Sequence, residues 1–309
     1  MGAVLIRDDE GVRWLPLSVA ALAVIAVGYF AYQRWWPADT TTQVGVGEVL
    51  DRYRDQQASA TPPVPTIPAT VAATTPATQA AVVTTPGSSP TTAVPSTTEA
   101  PPPPAVLPAP GVYRYTTTGR EHIDALGGTE HVYPLETTIT VTAAGCGVHL
   151  RWDLLAERYE EWNLCLGADG TTIELQPEAV QFHEFYGQAR TDAVACDQVV
   201  QVSPPPGPGT TVARTCTLAD EPWFPVWTAV SSSELTVESA AVPVGVFEAT
   251  IEIDDDEYWE HSKQTWALGP DGLPIVIGFE MSSRNPSPLG GTVYTESIQA
   301  TLVSLTPLS

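Results

Sequence analysis

Hydrophobic and polar positions change rhythm several times along this chain. Trp14–Tyr32 reads WLPLSVAALAVIAVGYFAY and holds no charged residue. As a helix rising 1.5 Å per residue, this run spans about 28 Å, close to the ~30 Å hydrocarbon core of a bilayer. Pro16 falls in the first turn, where its missing N–H costs little. Trp14 at one end and Tyr32, Trp35 and Trp36 at the other sit as interfacial anchors, and Arg34 stops the run. The pattern predicts a transmembrane helix over 14–36 behind a cytoplasmic tail over 1–13. A cleaved signal peptide is the rival, since Arg7 and Arg13 resemble a basic n-region. However, no small-x-small site follows Tyr29-Phe30-Ala31-Tyr32-Gln33, and Ala21-Leu22-Ala23 would leave an h-region of only about nine residues. An uncleaved signal-anchor is the favoured reading.

The juxtamembrane segment, 37–60, is polar, with Val46, Val49, Leu50 and Tyr53 at i, i+3, i+4 and i+7. That spacing predicts one or two amphipathic helical turns near the membrane surface, limited by Gly45 and Gly47. Over 61–110 periodicity vanishes. Pro, Thr, Ala and Val dominate and Glu99 is the sole charge, which predicts a disordered or polyproline-like linker.

From Gly111 onward a period of two takes over. Expected strands are Val112–Gly119, Thr137–Thr142, Cys146–Asp153, Trp162–Leu166, Thr171–Leu175 and Val180–Tyr186. Later ones are Ser233–Glu238, Val246–Ile253, Tyr258–Ala267, Leu273–Ser282 and Thr292–Ser304. Pro204–Gly209 splits two further strands between Cys196 and Cys216, and Gly269-Pro270-Asp271-Gly272 is a turn. The fold class is mainly β: an antiparallel domain over 111–309, a curved sheet or half-barrel with at most one or two short helices. Ala156–Trp162 and Pro222–Ser231 are the helix candidates.

Charge excludes one class of partner. From Gly111 on there are 28 acidic against 8 basic side chains, within a total net charge of −23. Such a surface repels nucleic acid and anionic headgroups. Cys146, Cys165, Cys196 and Cys216 all lie in the β region. An even number outside a membrane suggests two disulfides in an oxidising compartment. Of the three pairings, Cys146–Cys165 and Cys196–Cys216 is preferred because each closes one hairpin or loop. No close-spaced Cys pair suggests zinc. With the linker, the cysteines set the orientation: cell membrane, single-pass, N-terminus cytoplasmic, C-terminal domain extracellular.

Chemistry-bearing motifs are sparse. Glu252–Glu257 is the densest acidic run but lacks a calcium-loop spacing and reads as a solvated turn. His122, His131, His149, His183 and His261 form no H-E-x-x-H, and no G-x-S-x-G, Walker A or dinucleotide fingerprint occurs. Glu160 with Glu161, or Glu136 with Glu184, are the carboxylate pairs a glycosidase would need. No catalytic residue, cofactor or metal is assigned. Trp223, Phe224 and Trp227, in Pro222-Trp223-Phe224-Pro225-Val226-Trp227, are the candidate ligand-binding residues: they would line an apolar or sugar-stacking groove, or else plug one end of the sheet. Phe182, Phe185 and Tyr186 carry the same two readings.

Val242-Pro243-Val244-Gly245-Val246-Phe247-Glu248-Ala249, a Trp266 strand, Gly272-Leu273-Pro274, Tyr294-x-Glu296 and Leu302-x-Ser304-Leu305-x-Pro307 form a series. This series resembles bacterial cell-envelope β domains of the LolA/LppX lipoprotein-carrier type. The resemblance implies a curved antiparallel half-barrel whose concave side holds an acyl chain. It covers only part of the β region, and the lipobox cysteine of such lipoproteins is replaced here by a helical anchor. The expectation is an anchored envelope protein that binds a lipid-like ligand or a cell-wall component without catalysis. A structural or protein-interaction ectodomain and a wall-polymer hydrolase are the alternatives.

Overall fold

A computed structural model describes residues 41–59, 103–218, 221–254, 258–287 and 290–309. The expected cytoplasmic tail, transmembrane helix and most of the linker lie outside the described residues. Among the described residues no helix is long and apolar enough to cross a membrane.

The domain is mainly β. Its first half holds β1 (Gly111–Ile123), β2 (Thr129–Val132), β3 (Glu136–Ala144), β4 (Gly147–Leu155), β5 (Arg158–Leu166), β6 (Ile173–Phe185) and β7 (Gln188–Cys196). Four short strands follow: β8 (Val200–Ser203), β9 (Thr211–Ala213), β10 (Cys216–Leu218) and β11 (Glu221–Trp223). The second half is β12 (Val226–Val237), β13 (Ala240–Asp254), β14 (Trp259–Leu268), β15 (Pro274–Ser287) and β16 (Gly290–Leu302). All pair antiparallel in one sheet ordered β11-β10-β7-β6-β5-β4-β3-β1-β16-β15-β14-β13-β12-β9, with β2 on β1 and β8 on β6. The first and last long strands of the domain, β1 and β16, thus meet in the middle and join two meanders.

The sheet curls into a half-barrel. In a flat sheet β5 and β14, six strands apart in that order, would stand about 29 Å from each other at ~4.8 Å per strand. Instead Trp162 and Trp266 on these strands touch edge to face, with ring centroids 5.3 Å apart. The β14–β15 turn folds inward as well. Tyr115 Oη donates to the Pro274 carbonyl at 2.7 Å and Ser203 Oγ to that of Pro270 at 2.6 Å. Gly272 has φ +81°, and a Cβ there would stand 2.9 Å from Leu164, so this turn accepts only glycine's backbone and bulk.

Alternation decides what fills the hollow. Tyr113, Tyr115, Ile139, Leu150, Trp152 and Leu164 point inward from the first half; Phe247, Ile277, Ile298, Ala300 and Leu302 meet them from the second. These buried side chains form one continuous apolar cluster, the main stabilising feature of the domain.

Both helix candidates inside the β region are strands. Ala156–Trp162 is the β4–β5 turn followed by β5, and Pro222–Ser231 is β11 followed by the start of β12. In the latter, buried Trp227 and Ala229 alternate with exposed Val226 and Val230, a period of two that its aromatic content obscured. The expected strands Thr171–Leu175 and Val180–Tyr186 merge into β6, which carries Pro177 at a register shift.

The α-helix among the described residues, α1 (Val46–Ser59), belongs to the juxtamembrane segment. It presents Val49 and Tyr53 to the outer face of the sheet, where both are buried against Val112. Arg52 pairs with buried Asp153, Arg54 reaches the Ser309 carbonyl, and Ala156 N–H donates to the Thr42 carbonyl at 3.0 Å. The apolar stripe therefore covers a patch of the domain's outer face around Val112 and Leu308. Residues 103–110, the end of the expected linker, also lie on the sheet, with Ala105 N–H bonded to the Gly170 carbonyl at 3.0 Å. Replacing Val49 by Asp places an unpaired carboxylate in this contact. Tryptic cleavage at Arg52 and Arg54 is expected to accelerate by an order of magnitude or more while the β domain stays resistant; unchanged cleavage would show that the helix does not depend on this docking.

Candidate ligand cleft

Where the two halves of the curled sheet face each other, packing is incomplete. β5, β6 and β7 supply one wall of a cleft and β12, β13 and β14 the other. Four of the nine tryptophans line it: Trp162, Trp223, Trp227 and Trp266. Trp227 and Trp266 are tilted against each other at 6.2 Å, and Trp162 closes on Trp266 from the opposite wall. Small side chains, Ala179 and Ala249, leave the room between them. The empty space of the cleft, its open mouth included, is about 710 Å³.

The rim is held covalently and by crossing chains. The two disulfides pair Cys146 with Cys165 and Cys196 with Cys216, as the hairpin reading preferred. The second ties β7 to β10, and Cys196 itself lines the cleft. Nearby, the β9–β10 and β11–β12 connections run across the gap between the sheet's two edges, joined where Arg214 N–H donates to the Pro225 carbonyl at 3.0 Å.

Of the aromatic trio singled out in the sequence, Trp223 and Trp227 line the cleft. Phe224 is 54% exposed and stands outside it. Glu160 and Glu161 also border the cleft, but each is already engaged: Glu160 with Arg158, and Glu161 with Arg151 at 2.6 Å. Glu136 is taken up by Arg114 at the surface. His261 pairs with Asp254 of the acidic run, and His149 lies 3.6 Å from Glu161. Among the described residues no group of three His, Cys, Asp or Glu side chains converges as a metal site.

Among the described residues Arg214 is the one cationic side chain lining the cleft. It is 6% exposed, donates from one terminal nitrogen to the Gln176 carbonyl at 3.3 Å, and leaves Nε buried without a partner. Burial holds its pKa below the usual guanidinium value, since Asp197 and Glu178 offset the desolvation only in part.

A second, polar constellation occupies the other end of the hollow. The inward stripe of β16 runs Leu302, Ala300, Ile298 and then changes to Glu296 and Tyr294. Glu296 lies directly opposite Glu121 of β1. Tyr294 Oη stands 2.8 Å from Glu121 Oε2 and 2.9 Å from Glu296 Oε2. One hydroxyl proton satisfies one of these contacts, so the other is complete only when a carboxyl carries the second proton. Burial, and then repulsion from Glu121, push Glu296 up to about 7 against the pull of Arg158. Tyr133 donates to Glu296, His131 Nδ1 is 2.8 Å from Glu121, and Arg158 bridges Glu160 and Glu296. Burial and the Arg158 charge hold His183 neutral. Glu121, His131, Arg158 and Glu296 are each at most 4% exposed, so this network is sealed inside the fold.

Sequence reading missed Arg214, Trp162, Trp266 and the sealed network as members of sites. For the network a signal existed: Tyr294-x-Glu296 occupies the inward phase of a strand whose next inward residues are apolar. For Arg214 none did, because its surroundings come from β6, β12 and the rim.

No family model, curated protein or solved structure matches this chain.

Proposed function

We propose that this protein is a membrane-anchored, extracytoplasmic envelope protein whose half-barrel binds an apolar, lipid-like ligand without catalysis, in the manner of the LolA/LppX lipoprotein-carrier type. The observation that carries the reading is the tryptophan-lined cleft between the facing halves of the curled sheet. Ligand sites are typically concave, mostly apolar and furnished with a few placed polar groups. The cleft has that composition, and its small residues keep it open. The two disulfides fit an oxidising compartment. The carboxylate pair that glycoside hydrolysis would use is a poor fit in either place: Glu121 and Glu296 are sealed and share one tyrosine, while Glu160 and Glu161 are bound to arginines.

A neutral apolar fluorophore such as N-phenyl-1-naphthylamine, titrated into the full chain, tests this reading. Saturable emission enhancement is expected, and Ala179→Trp, which fills the cleft, should weaken it at least tenfold. Enhancement that is non-saturable or indifferent to that substitution would refute binding at the cleft.

A further inference from the structure

We infer that Arg214 binds the anionic head of the ligand whose chain lies among the tryptophans, so that the ligand is a single-chain fatty carboxylate. This rests on the cleft reading and names its substrate class. An ionised side chain buried without a counter-charge is costly, and buried charges are ordinarily paired. This protein keeps to that rule elsewhere: Arg158 has Glu160 and Glu296, and Arg151 has Asp153 and Glu161. Arg214 departs from it in having no carboxylate in contact among the described residues, in a chain carrying 36 acidic side chains. Among the described residues its guanidinium forms no ion pair, Asp197 and Glu178 acting on it only from beyond contact, and its Nε is buried without a partner at the wall of a cleft otherwise bordered by apolar groups, glutamines and engaged carboxylates.

A guanidinium presents parallel donors that fit a carboxylate in two-point geometry. An occupant that satisfies both parts of this site has an anionic oxygen head at Arg214 and an unbranched apolar body along Trp227 and Trp266. An empty volume of about 710 Å³, open mouth included, is of the size that one long acyl chain fills, which favours one chain over two. The head would supply the direct ion-pair partner that Arg214 lacks, beside the Arg214–Pro225 backbone bond that joins the rim.

The test is displacement of N-phenyl-1-naphthylamine from the full chain by laurate, 1-dodecanol and dodecyltrimethylammonium, which share a tail and differ in head charge. Laurate is expected to compete at least tenfold more strongly than dodecanol, with the cation weakest. Arg214→Met should bring laurate to the level of dodecanol, and Arg214→Lys should restore part of the difference. Equal competition by laurate and dodecanol in the unaltered protein would overturn the assignment to an anion while leaving the cleft reading intact. No saturable fluorophore binding at all would remove the cleft reading itself. The comparison of heads in the unaltered chain decides the matter even where Arg214→Met fails to fold.

Discussion

Replacing Arg158 by Met is expected to cost about 3–5 kcal/mol of stability near pH 8, the range for removing one partner of a buried ion pair. Arg158 is 1% exposed and is the cation between Glu160 and Glu296. Without it, two carboxylates face each other in the hollow with Glu121 close by. The loss should shrink at pH 5. Glu296 has a folded pKa of about 7 against 4.5 for a free side chain, so the folded protein binds its proton more readily. The stability it contributes is therefore fully present below about 4.5 and is lost as pH rises through about 7, in total roughly 3 kcal/mol. Removing the arginine raises that pKa further and steepens the decline. His183 acts with the opposite sign: held neutral, its contribution is present above 6.5 and is lost as pH falls, so the comparison must be between variants rather than along one curve. Urea unfolding of the unaltered chain, Arg158→Met and Arg158→Met/Glu296→Gln at pH 5 and pH 8 gives the answer. The double variant should recover much of the pH 8 loss. An equal loss for Arg158→Met at both pH values would show that the sealed network does not share protons as described.

Removing the rim disulfide is the second large effect. Substituting Cys196 and Cys216 by Ser together is expected to cost about 3 kcal/mol, from the freedom regained by a loop with a sequence separation of 20. The functional consequence should exceed that of the other bridge. Cys196–Cys216 holds β7 to β10 at the cleft, whereas Cys146–Cys165 ties the β3–β4 turn to β5 and neither of its cysteines lines the cleft. Fluorophore affinity should fall severalfold more in Cys196→Ser/Cys216→Ser than in Cys146→Ser/Cys165→Ser, measured at a temperature where both remain folded. Equal affinities would mean that the rim is not what shapes the site.

Much of the β architecture was readable from the chain because antiparallel strands advertise a buried face through a period of two. Ile139 and Val141, or Leu150 and Trp152, needed no knowledge of their partners to be placed inward. The pairing of strands is less local. That β1 lies beside β16 depends on the whole sheet curling, and nothing near Tyr115 announces that its hydroxyl will meet Pro274. The stripe Val46, Val49, Leu50, Tyr53 shows the same limit. Its spacing marks a helix, yet the surface it covers is built by residues such as Val112 and Asp153 far along the chain. The cysteine pairs were legible because each closes a short loop. The cleft was half legible: Trp223 and Trp227 drew notice as a dense aromatic run, while Trp162 and Trp266 passed as ordinary core residues of separate strands. Phe224 belonged to the same run but falls on the outward phase. Arg214 gave no sign, since an unpaired guanidinium is defined by what fails to surround it in three dimensions.

The most direct measurement is quenching of tryptophan emission by a long-chain fatty acid carrying bromine in its tail, titrated into the full chain. With the acyl chain lying against Trp162, Trp227 and Trp266, quenching saturates at one ligand per chain and is largely lost in Ala179→Trp. Quenching that never saturates, or that persists undiminished in the filled variant, would contradict a ligand-binding half-barrel.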